Sequence, residues 1–244
     1  TKLIYQRFNI PTTKFINFTK EQWLSNSVNI IEEIKSNFAW PVFVKPARLG
    51  SSIGIAKVKT EKDLETSIEV ALHYDSKVLV EESVEDLMDI TVAVKGGSSP
   101  VTSEIQESDF SSDFFSYEDK YLKEGGAQTG NAQKRIVIPA RLEENITDKI
   151  KETALEIYKI FECTGTARVD FLYNKTYKKF YAHEINTLPG TLYHHLWKAS
   201  NVEFSVFLEE LIDTALKTHN SKNSYTKTFS SEILNKITPG KGKM

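Results

Sequence analysis

Cysteine is nearly absent from this chain of 244 residues, because Cys163 is the only one. A single cysteine excludes a disulfide within the chain and a zinc site built from cysteines. It is also typical of proteins from a reducing compartment. No apolar run approaches the length of a membrane span, and the N-terminal residues lack the basic and then apolar layout of a signal peptide. We therefore expect a cytoplasmic protein that has no membrane partner.

Neither sign of charge is in large excess, since 31 lysines and arginines stand against 33 aspartates and glutamates. The formal net charge of -2 gives no global electrostatic reason to expect nucleic acid as a partner. The sequence also lacks internal repeats. A hydrophobic fraction of 40% with 26% charged residues is typical of globular proteins, and the length allows one large domain or two lobes.

Two short apolar runs in the C-terminal third are the most informative part of the sequence. They cover residues 167 to 173 and 180 to 185, and the polar residues 174 to 179 between them predict a hairpin connection. Successive side chains of a strand point to opposite faces. Polar residues two positions apart in each run are therefore expected to meet on one face of the hairpin.

Four polar side chains occupy that face. Arg168 and Asp170 alternate in the first run, and Glu184 and Asn186 alternate in the second. Two carboxylates and an amide form the hard-oxygen ligand set that Mg²⁺ prefers when it also holds phosphate oxygens. The alternative is a solvated pair of acidic residues beside Arg168, and this stretch alone does not decide between the two.

A loop of small residues, 47 to 55, follows a predicted buried strand at 40 to 46. Its glycines, serines and backbone amides suit phosphate oxygens, and Lys45 at the strand end is expected to point toward the same anion. No lysine followed by serine or threonine comes after the second glycine, so the loop is not a Walker P-loop. A flexible turn is the commoner interpretation of such a loop.

A strand predicted at 77 to 84 contains the adjacent glutamates Glu81 and Glu82 near its end, and Asp89 begins another strand. Such a strand end suits an adenine site formed by backbone groups and a ribose site formed by a carboxylate. An exposed, charged strand end is the alternative. Residues 106 to 135 have no clean periodicity, and aromatic residues beside Lys120 favour a lid that closes over a site.

The helices are predicted from apolar spacing and capping residues. A capping box at Thr19 and Gln22 opens a helix that runs to about residue 35, and Thr60 with Asp63 is expected to cap the next. Further helices are predicted at 143 to 161 and 204 to 215, and a polar, mobile extension is predicted at 217 to 244, with one ordered segment at 225 to 234. A first helix over 3 to 8 is expected to begin before residue 1, which indicates a portion of a longer protein.

The sequence contains six short motifs in a fixed order. They are Val42-Phe43-Val44-Lys45-Pro46, Leu49-Gly50-Ser51-Ser52-x-Gly54, Val78-Leu79-Val80-Glu81, Tyr117-Glu118-x-Lys120-Tyr121, Ala167-Arg168-Val169-Asp170 and Glu184-Ile185-Asn186-Thr187-x-Pro189-Gly190. In this order they resemble the ATP-grasp part of D-alanine-D-alanine ligases. The resemblance covers roughly residues 1 to 216. It implies an α+β ATP-grasp fold with two lobes, a nucleotide-binding lobe at 1-105 and a Mg²⁺- and substrate-binding lobe at 106-216, followed by the extension at 217-244.

The resemblance also implies an activity. ATP-grasp ligases of this family join two amino acids through an acyl phosphate in the synthesis of peptidoglycan precursors for the cell wall. ATP and two Mg²⁺ ions are the implied cofactors, and small-molecule amino acids are the implied substrates. Mn²⁺ in place of Mg²⁺, and a homodimer formed through the family's N-terminal region, remain open.

Residue roles follow from the matching motif positions. The implied ATP-binding residues are Lys45, Ser51, Ser52, Glu81, Glu82, Val84, Asp89 and Lys120. The implied metal ligands are Asp170, Glu184 and Asn186, with Glu184 bridging both ions. The implied catalytic residues are Arg168, Ser51, Lys120, Tyr121 and the backbone N-H of Gly190.

Departures from the family pattern define two alternatives. The loop after Gly190 is shorter than usual, which favours an ATP-grasp ligase with another amino-acid or dipeptide substrate. The family's N-terminal domain has no counterpart in the sequence, which favours a nucleotide-binding domain without catalysis. Retention of Arg168 and the three metal-ligand positions argues against that second alternative. Asp89 stands where the family has a ribose-binding glutamate, and Lys2 aligns just after the family's first ATP-contacting lysine.

Three histidines receive no catalytic role. His194 and His195 are expected to cover the loop after Gly190, with the alternative that they hold a substrate carboxylate. His183 alternates with Glu184, so we expect it to face the opposite side of its strand and to pack there.

Overall fold

The computed structural model describes residues 1-50, 52-108 and 136-226. The strands are β1 Phe15-Thr19, β2 Val42-Pro46, β3 Ala56-Val58, β4 Lys77-Glu82, β5 Leu87-Gly96, β6 Val101-Ser108, β7 Ile136-Val137, β8 Gly165-Asn174 and β9 Lys179-Asn186. The α-helices are α1 Lys2-Arg7, α2 Lys20-Asn37, α3 Leu64-Tyr74, α4 Glu144-Ile160, α5 His194-Ala199 and α6 Phe204-Ser224, with 3-10 turns at Glu61-Asp63 and Gly190-Tyr193. All strand pairs are antiparallel and helices alternate with them, so this part of the chain has the expected α+β class.

The first sheet has the strand order β1-β4-β2-β3, and α2 and α3 supply the apolar residues that cover it. The predicted capping box is confirmed, because Thr19 Oγ1 accepts from the Gln22 N-H at 3.3 Å and Gln22 Oε1 accepts from the Thr19 N-H at 2.8 Å. These bonds satisfy two donors at the helix start that have no partner within the helix. Trp23 and Ile34 of α2 are buried against the sheet.

The predicted cap of α3 is wrong in detail. Thr60 Oγ1 donates to Asp63 Oδ2 at 3.2 Å, and neither side chain accepts a bond from a backbone amide of the helix start. The reason is that Asp63 closes a 3-10 turn and has ψ of -4°, which is far from the extended conformation of a capping residue. The predicted apolar face of the helix is confirmed: Leu64, Ile68, Ala71 and Leu72 are buried.

The second sheet has the order β7-β6-β5-β8-β9, and it contains the predicted hairpin as β8 and β9. The side chain of Asn174 closes the hairpin turn by accepting from the Tyr177 N-H at 2.7 Å. Helix α4 packs on this sheet through the predicted residues Ile146, Ile150, Ala154 and Ile157.

The division between the sheets differs from the predicted lobe boundary at 105/106. That boundary lies inside β6, and β6 belongs to the second sheet, as does β5. The first sheet ends at Glu82 and the second begins at Leu87. The long register between β5 and β8, from Leu87 opposite Asn174 to Gly96 opposite Gly165, is the physical reason, because it commits β5 to the second sheet.

The C-terminal helix is longer and more exposed than the sequence predicted. Helix α6 continues to Ser224, so residues 217 to 224 are helical and are not a polar extension from 217. Of the predicted apolar face, Phe207 is buried, but Phe204 is 47% exposed and Ile212 is 58% exposed. None of the described helices is long and apolar enough to cross a membrane.

Candidate functional site

A cavity of about 1010 Å³ lies between the two sheets. The first sheet contributes Lys45 and Glu81, the connection after β4 contributes residues 83 to 86, and the second sheet contributes residues of β5, β6, β8 and β9. Most predicted site residues within the described ranges line this cavity. It is polar, and acidic and basic side chains face each other across it, as expected of a site for a charged ligand.

The four polar residues of the hairpin meet as the alternation predicted. Arg168 is opposite Asn186 and Asp170 is opposite Glu184 in the register of β8 and β9. The Arg168 Nε donates to Asp170 Oδ2 at 2.8 Å, and its Nη2 donates to Glu184 Oε1 at 3.1 Å. Thr91 on β5 donates its hydroxyl to Asp170 Oδ1 at 2.8 Å. Asp170 is thus anchored from β5 and by Arg168 of its own strand, and Glu184 is anchored from β8.

This cluster has the chemistry of a cation site. Burial raises the pKa of Asp170, the Arg168 guanidinium opposes that rise, and the neighbouring Glu184 adds to it. The raised pKa means that the surroundings stabilise the negative charge of Asp170 poorly. A divalent cation bound beside the carboxylate supplies the missing stabilisation. Asn186 Oδ1 accepts from the Leu188 N-H at 3.1 Å, which orients its oxygen. Within the described residues no three histidine, cysteine, aspartate or glutamate side chains form a metal cluster, so the oxygen set depends on the amide.

The position of His183 contradicts the expectation that it faces away from Glu184. Asp170 is opposite Glu184 and the next residue, Phe171, is opposite Ala182, so His183 is the extra residue of a β-bulge. The bulge interrupts the alternation, and His183 lines the cavity together with Glu184. Its Nδ1 is buried and has no hydrogen-bond partner within residues 1-50, 52-108 and 136-226. Burial and the nearby Lys45 lower the pKa of His183.

Glu81 lies at the centre of a buried ion cluster. It is 2% exposed, and its carboxylate pairs with Lys2 and with Lys45. Thr13 donates its hydroxyl to Glu81 Oε1 at 2.6 Å. Burial alone would raise the pKa of Glu81, but Lys45, His183 and Lys2 together hold it well below its usual value. The alternative of an exposed strand end is therefore wrong for Glu81, and Lys45 lines the cavity from a fixed position.

The other described residues predicted around the nucleotide line the same cavity. Glu82, Val84 and Asp89 line the cavity and are partly buried. Glu82 Oε1 accepts from the Lys14 N-H at 2.6 Å, which links the strand end to the segment before β1. Ser52 lines the cavity from the small-residue loop, with φ of 60°. These positions suit the ribose and adenine sides of a nucleotide, and those roles stay predictions.

Some predicted site residues lie outside the described part of the chain. They are Ser51, Lys120 and Tyr121, and the predicted lid falls there as well except for residues 106 to 108, which end β6. The small-residue loop itself has a steric need for glycine at Gly54, where φ is +72° and a Cβ atom would lie 2.8 Å from both Pro46 Cγ and Tyr74 Cδ2. The loop is therefore packed against the end of β2 and α3.

Gly190 begins the turn that leads out of β9, and there is open space where a Cβ atom would be. The next residues, Thr191, Leu192 and Tyr193, have φ of 54°, 54° and 51°, a left-handed run of three non-glycine residues. The run brings the Tyr193 hydroxyl within 3.0 Å of Arg168 Nη1. No sequence pattern predicted Tyr193 at the site, because left-handed backbone is unusual for such residues.

His194 and His195 cover the turn, as one of the two interpretations of the sequence had it. His194 Nδ1 lies 3.2 Å from the Thr191 carbonyl oxygen, and His195 Nε2 lies 2.7 Å from Gln106 Oε1. These contacts tie the turn to β6. Whether either histidine also holds a substrate carboxylate stays a prediction.

The arrangement can bind a polyanion and activate a carboxylate. Lys45 of the first sheet and Arg168 of the second supply positive charge to the cavity, and Asp170 and Glu184 supply oxygen atoms of the kind that bind a cation. No cysteine lies among the described residues that line the cavity. Such a site suits reactions that depend on positioning and electrostatics, as phosphoryl transfer does.

Comparisons with known proteins agree with this architecture. The profile of the family described as "D-ala D-ala ligase C-terminus" matches residues 4-213. The D-alanine-D-alanine ligase of Thermosipho africanus is 38% identical over 224 residues, which are 92% of this chain and 58% of that protein. The D-alanine-D-alanine ligase of Chlorobaculum tepidum is 39% identical over 221 residues, 89% of this chain and 58% of that protein. The chain thus spans 58% of the length of each of these relatives.

Solved structures give the same result for the fold. The VanG D-Ala:D-Ser ligase of Enterococcus faecalis matches with a TM-score of 0.72 and 30% identity, over 87% of this chain and 59% of that chain. The D-alanine-D-alanine ligase of Coxiella burnetii has a TM-score of 0.73 at 24% identity, over 91% of this chain and 57% of that chain. The ATP-grasp fold predicted from the sequence is confirmed.

Proposed function

Because the chain belongs to the family of the D-alanine-D-alanine ligase C-terminal domain, we propose that its full-length protein is an ATP-dependent ligase that joins two D-alanine molecules. In the proposed reaction the carboxylate of the first amino acid takes the γ-phosphoryl group of ATP, and the amine of the second displaces phosphate from the acyl phosphate. The product class is a dipeptide for peptidoglycan synthesis. The chain supplies the part of the protein that contains the cavity between the sheets.

The observation that carries the proposal is the meeting of opposite charges across the cavity. Lys45 approaches from the first sheet, whereas Arg168, Asp170 and Glu184 approach from the second. A nucleotide with a divalent cation carries both signs of charge, and it suits this arrangement better than a simple anion does. Each group is held in place by hydrogen bonds or ion pairs, so the site is preorganised.

These positions support a proposed role for each residue. Lys45, fixed by Glu81, binds phosphate oxygens, and Asp170, Glu184 and Asn186 hold Mg²⁺. Mg²⁺, when bound, supplies positive charge beside the phosphate oxygens of ATP. Arg168 orients the reacting carboxylate and stabilises the negative charge that develops on its oxygen when the amine attacks.

A ligase with another second amino acid is the alternative that a specific observation favours. The turn after Gly190 ends with the bulky Tyr193, and the two histidines His194 and His195 follow it directly. Related ligases differ in that amino acid, since the VanG protein is named for D-Ala and D-Ser. Under this alternative the ATP and metal residues keep their roles, and only the acceptor changes.

Product identification separates these alternatives. Full-length protein is incubated with ATP, Mg²⁺ and pairs drawn from D-alanine, D-serine and L-alanine, and the products are identified by mass spectrometry. Formation of D-alanyl-D-alanine with one phosphate per dipeptide is the expected result. A mixed dipeptide with D-serine but no D-alanyl-D-alanine would favour the alternative acceptor. ATP binding without any dipeptide would contradict the proposal in favour of a domain without catalysis.

A further inference from the structure

Arg168 has three side-chain partners, and they differ in charge. Its Nε and Nη2 groups pair with Asp170 at 2.8 and 2.7 Å, and Nη2 also donates to Glu184 at 3.1 Å. Its Nη1 donates to the hydroxyl of Tyr193 at 3.0 Å. Of these three described partners, Asp170 and Glu184 carry a negative charge and Tyr193 does not. The other two hold Arg168 at the cost of placing negative charge where a substrate carboxylate has to approach.

Tyr193 also contacts the guanidinium through its ring. The Arg168 Cζ atom lies 5.1 Å from the centroid of the Tyr193 ring, within the range of a cation-π interaction. A hydroxyl and a ring face from one side chain therefore restrain both the position and the tilt of the guanidinium. A planar fork that must present its N-H groups to a substrate oxygen benefits from both restraints.

The backbone at Tyr193 is held in an unfavourable conformation to make these contacts. Thr191, Leu192 and Tyr193 are all left-handed, which is costly for residues with a Cβ atom. Leu192 is anchored in the small core that includes Trp197 and Phe207. The ring of Tyr193 lies 5.3 Å from the His195 ring and packs against the same core. The surroundings thus determine where Tyr193 points.

We propose that Tyr193 is a positioning residue for Arg168 in the ligase reaction, and this inference rests on the proposed function. Tyr193 holds Nη1 and the plane of the guanidinium without repelling the substrate carboxylate. The N-H groups of Arg168 then meet the oxygen of the reacting carboxylate in one orientation. The role differs from that of Asp170 and Glu184, because Tyr193 brings no charge to the site.

Two substitutions at this position separate the hydroxyl from the ring. In the full-length protein, Tyr193→Phe removes the hydrogen bond and keeps the ring face, and we expect kcat for dipeptide formation to fall about tenfold. Tyr193→Ala removes both contacts, and we expect a fall of about 100-fold. The KM for ATP should stay within about twofold in both, since Lys45 is untouched. Tyr177→Phe is the matched control, because Tyr177 is 70% exposed on the hairpin turn.

A second readout does not depend on turnover. NMR of the guanidinium ¹⁵Nε signal, assigned to Arg168 by its loss in Arg168→Lys, reports how fast the group rotates about the Nε-Cζ bond. Faster rotation in Tyr193→Phe than in the wild-type protein and in Tyr177→Phe is the expected result. Unchanged rotation would overturn the proposal, whatever happens to kcat, and so would an unchanged kcat. If the wild-type protein forms no dipeptide, the proposed function fails by itself, and the rotation rate still decides whether Tyr193 restrains the guanidinium of Arg168.

Discussion

Glu81 is a carboxylate that two lysines keep ionised inside the protein. Its side chain is 3% exposed, and those of Lys2 and Lys45 are 7% and 14% exposed. Separating three such charges from water is costly unless they neutralise each other. The cluster ties α1 to β2 and β4. Glu81 therefore both positions Lys45 in the cavity and joins α1 to the first sheet.

Replacement of Glu81 by glutamine is therefore expected to destabilise the protein strongly. Glu81→Gln leaves two lysines without their partner in a buried place, which we expect to lower the free energy of unfolding by about 3 kcal/mol. Urea unfolding at pH 7 measures the change. Glu32→Gln is the control, since Glu32 pairs with Lys35 on the surface with a side chain that is 65% exposed, and it should leave stability unchanged. Equal effects of the two substitutions would contradict the account.

The stability difference between the wild-type protein and Glu81→Gln is expected to depend on pH. The pKa of Glu81 is lowered in the folded protein, so the unfolded chain takes up the proton first as the pH falls. The stability that Glu81 contributes is then fully present above the unfolded pKa of about 4.3 and is lost progressively below it. In urea unfolding from pH 7 to pH 3, the gap between the wild-type protein and Glu81→Gln should narrow only below about pH 4.3. A gap that stays constant down to pH 3 would argue against the ion cluster.

Thr191 tests the conformational cost of the left-handed turn. It has φ of 54° and is exposed, so glycine relieves the strain without removing packing. We expect Thr191→Gly to raise the free energy of unfolding by about 0.5 kcal/mol. Thr214→Gly, the same change inside α6, should lower it by about 1 kcal/mol. Destabilisation by both glycines, measured by urea unfolding, would show that the turn is not strained.

At the scale of elements, helix α6 offers a comparison of one buried and one exposed phenylalanine. Phe207 is fully buried and stacks on Trp197, whereas Phe204 is 47% exposed. Phe207→Ala should cost about 3 kcal/mol because it leaves a cavity, and Phe204→Ala should cost about 1 kcal/mol or less. Thermal or urea unfolding of the two variants gives the comparison. Similar losses would mean that the exposed face of α6 is covered in the full-length protein.

Alternation along strands predicted part of the site and failed at one residue. It placed Arg168 with Asp170, and Glu184 with Asn186, because the period of two holds within each of these short stretches. It misplaced His183, because a β-bulge adds one residue that has no signal in a single sequence. The left-handed turn that brings Tyr193 to Arg168 was not predicted either. Glycine is the usual sequence signal for left-handed backbone, and the residues of this turn are not glycines.

Helix ends and sheet membership show the same limit. Capping residues identified the start of α2, but at α3 a 3-10 turn displaced the predicted cap. Polar composition after residue 216 suggested an extension, although lysine and serine are compatible with a helix and α6 continues to Ser224. The assignment of β5 to a sheet depends on pairing with β8, about 75 residues later, and local patterns carry no such information.

At the scale of the whole molecule, the site exists because the two sheets face each other. Lys45 and Glu81 belong to the first sheet, and Arg168, Asp170 and Glu184 belong to the second. The resemblance of ordered motifs predicted this pairing, because it implied two lobes with ATP held between them. Composition and charge balance contributed only the class of protein, since they do not depend on which residues meet in space.

The most direct test of the proposed ligase site is the rate of phosphate release by Glu184→Gln in the full-length protein, measured with ATP, Mg²⁺ and D-alanine. Loss of one charged oxygen of the proposed metal site should lower the D-alanine-dependent rate by about 100-fold. Glu143→Gln is a matched control, because the side chains of Glu143 and Glu184 are both 53% exposed and Glu143 pairs with Lys178 away from the cavity. The account predicts a wild-type rate for that control. A wild-type rate for Glu184→Gln, or equal losses in both variants, would contradict it.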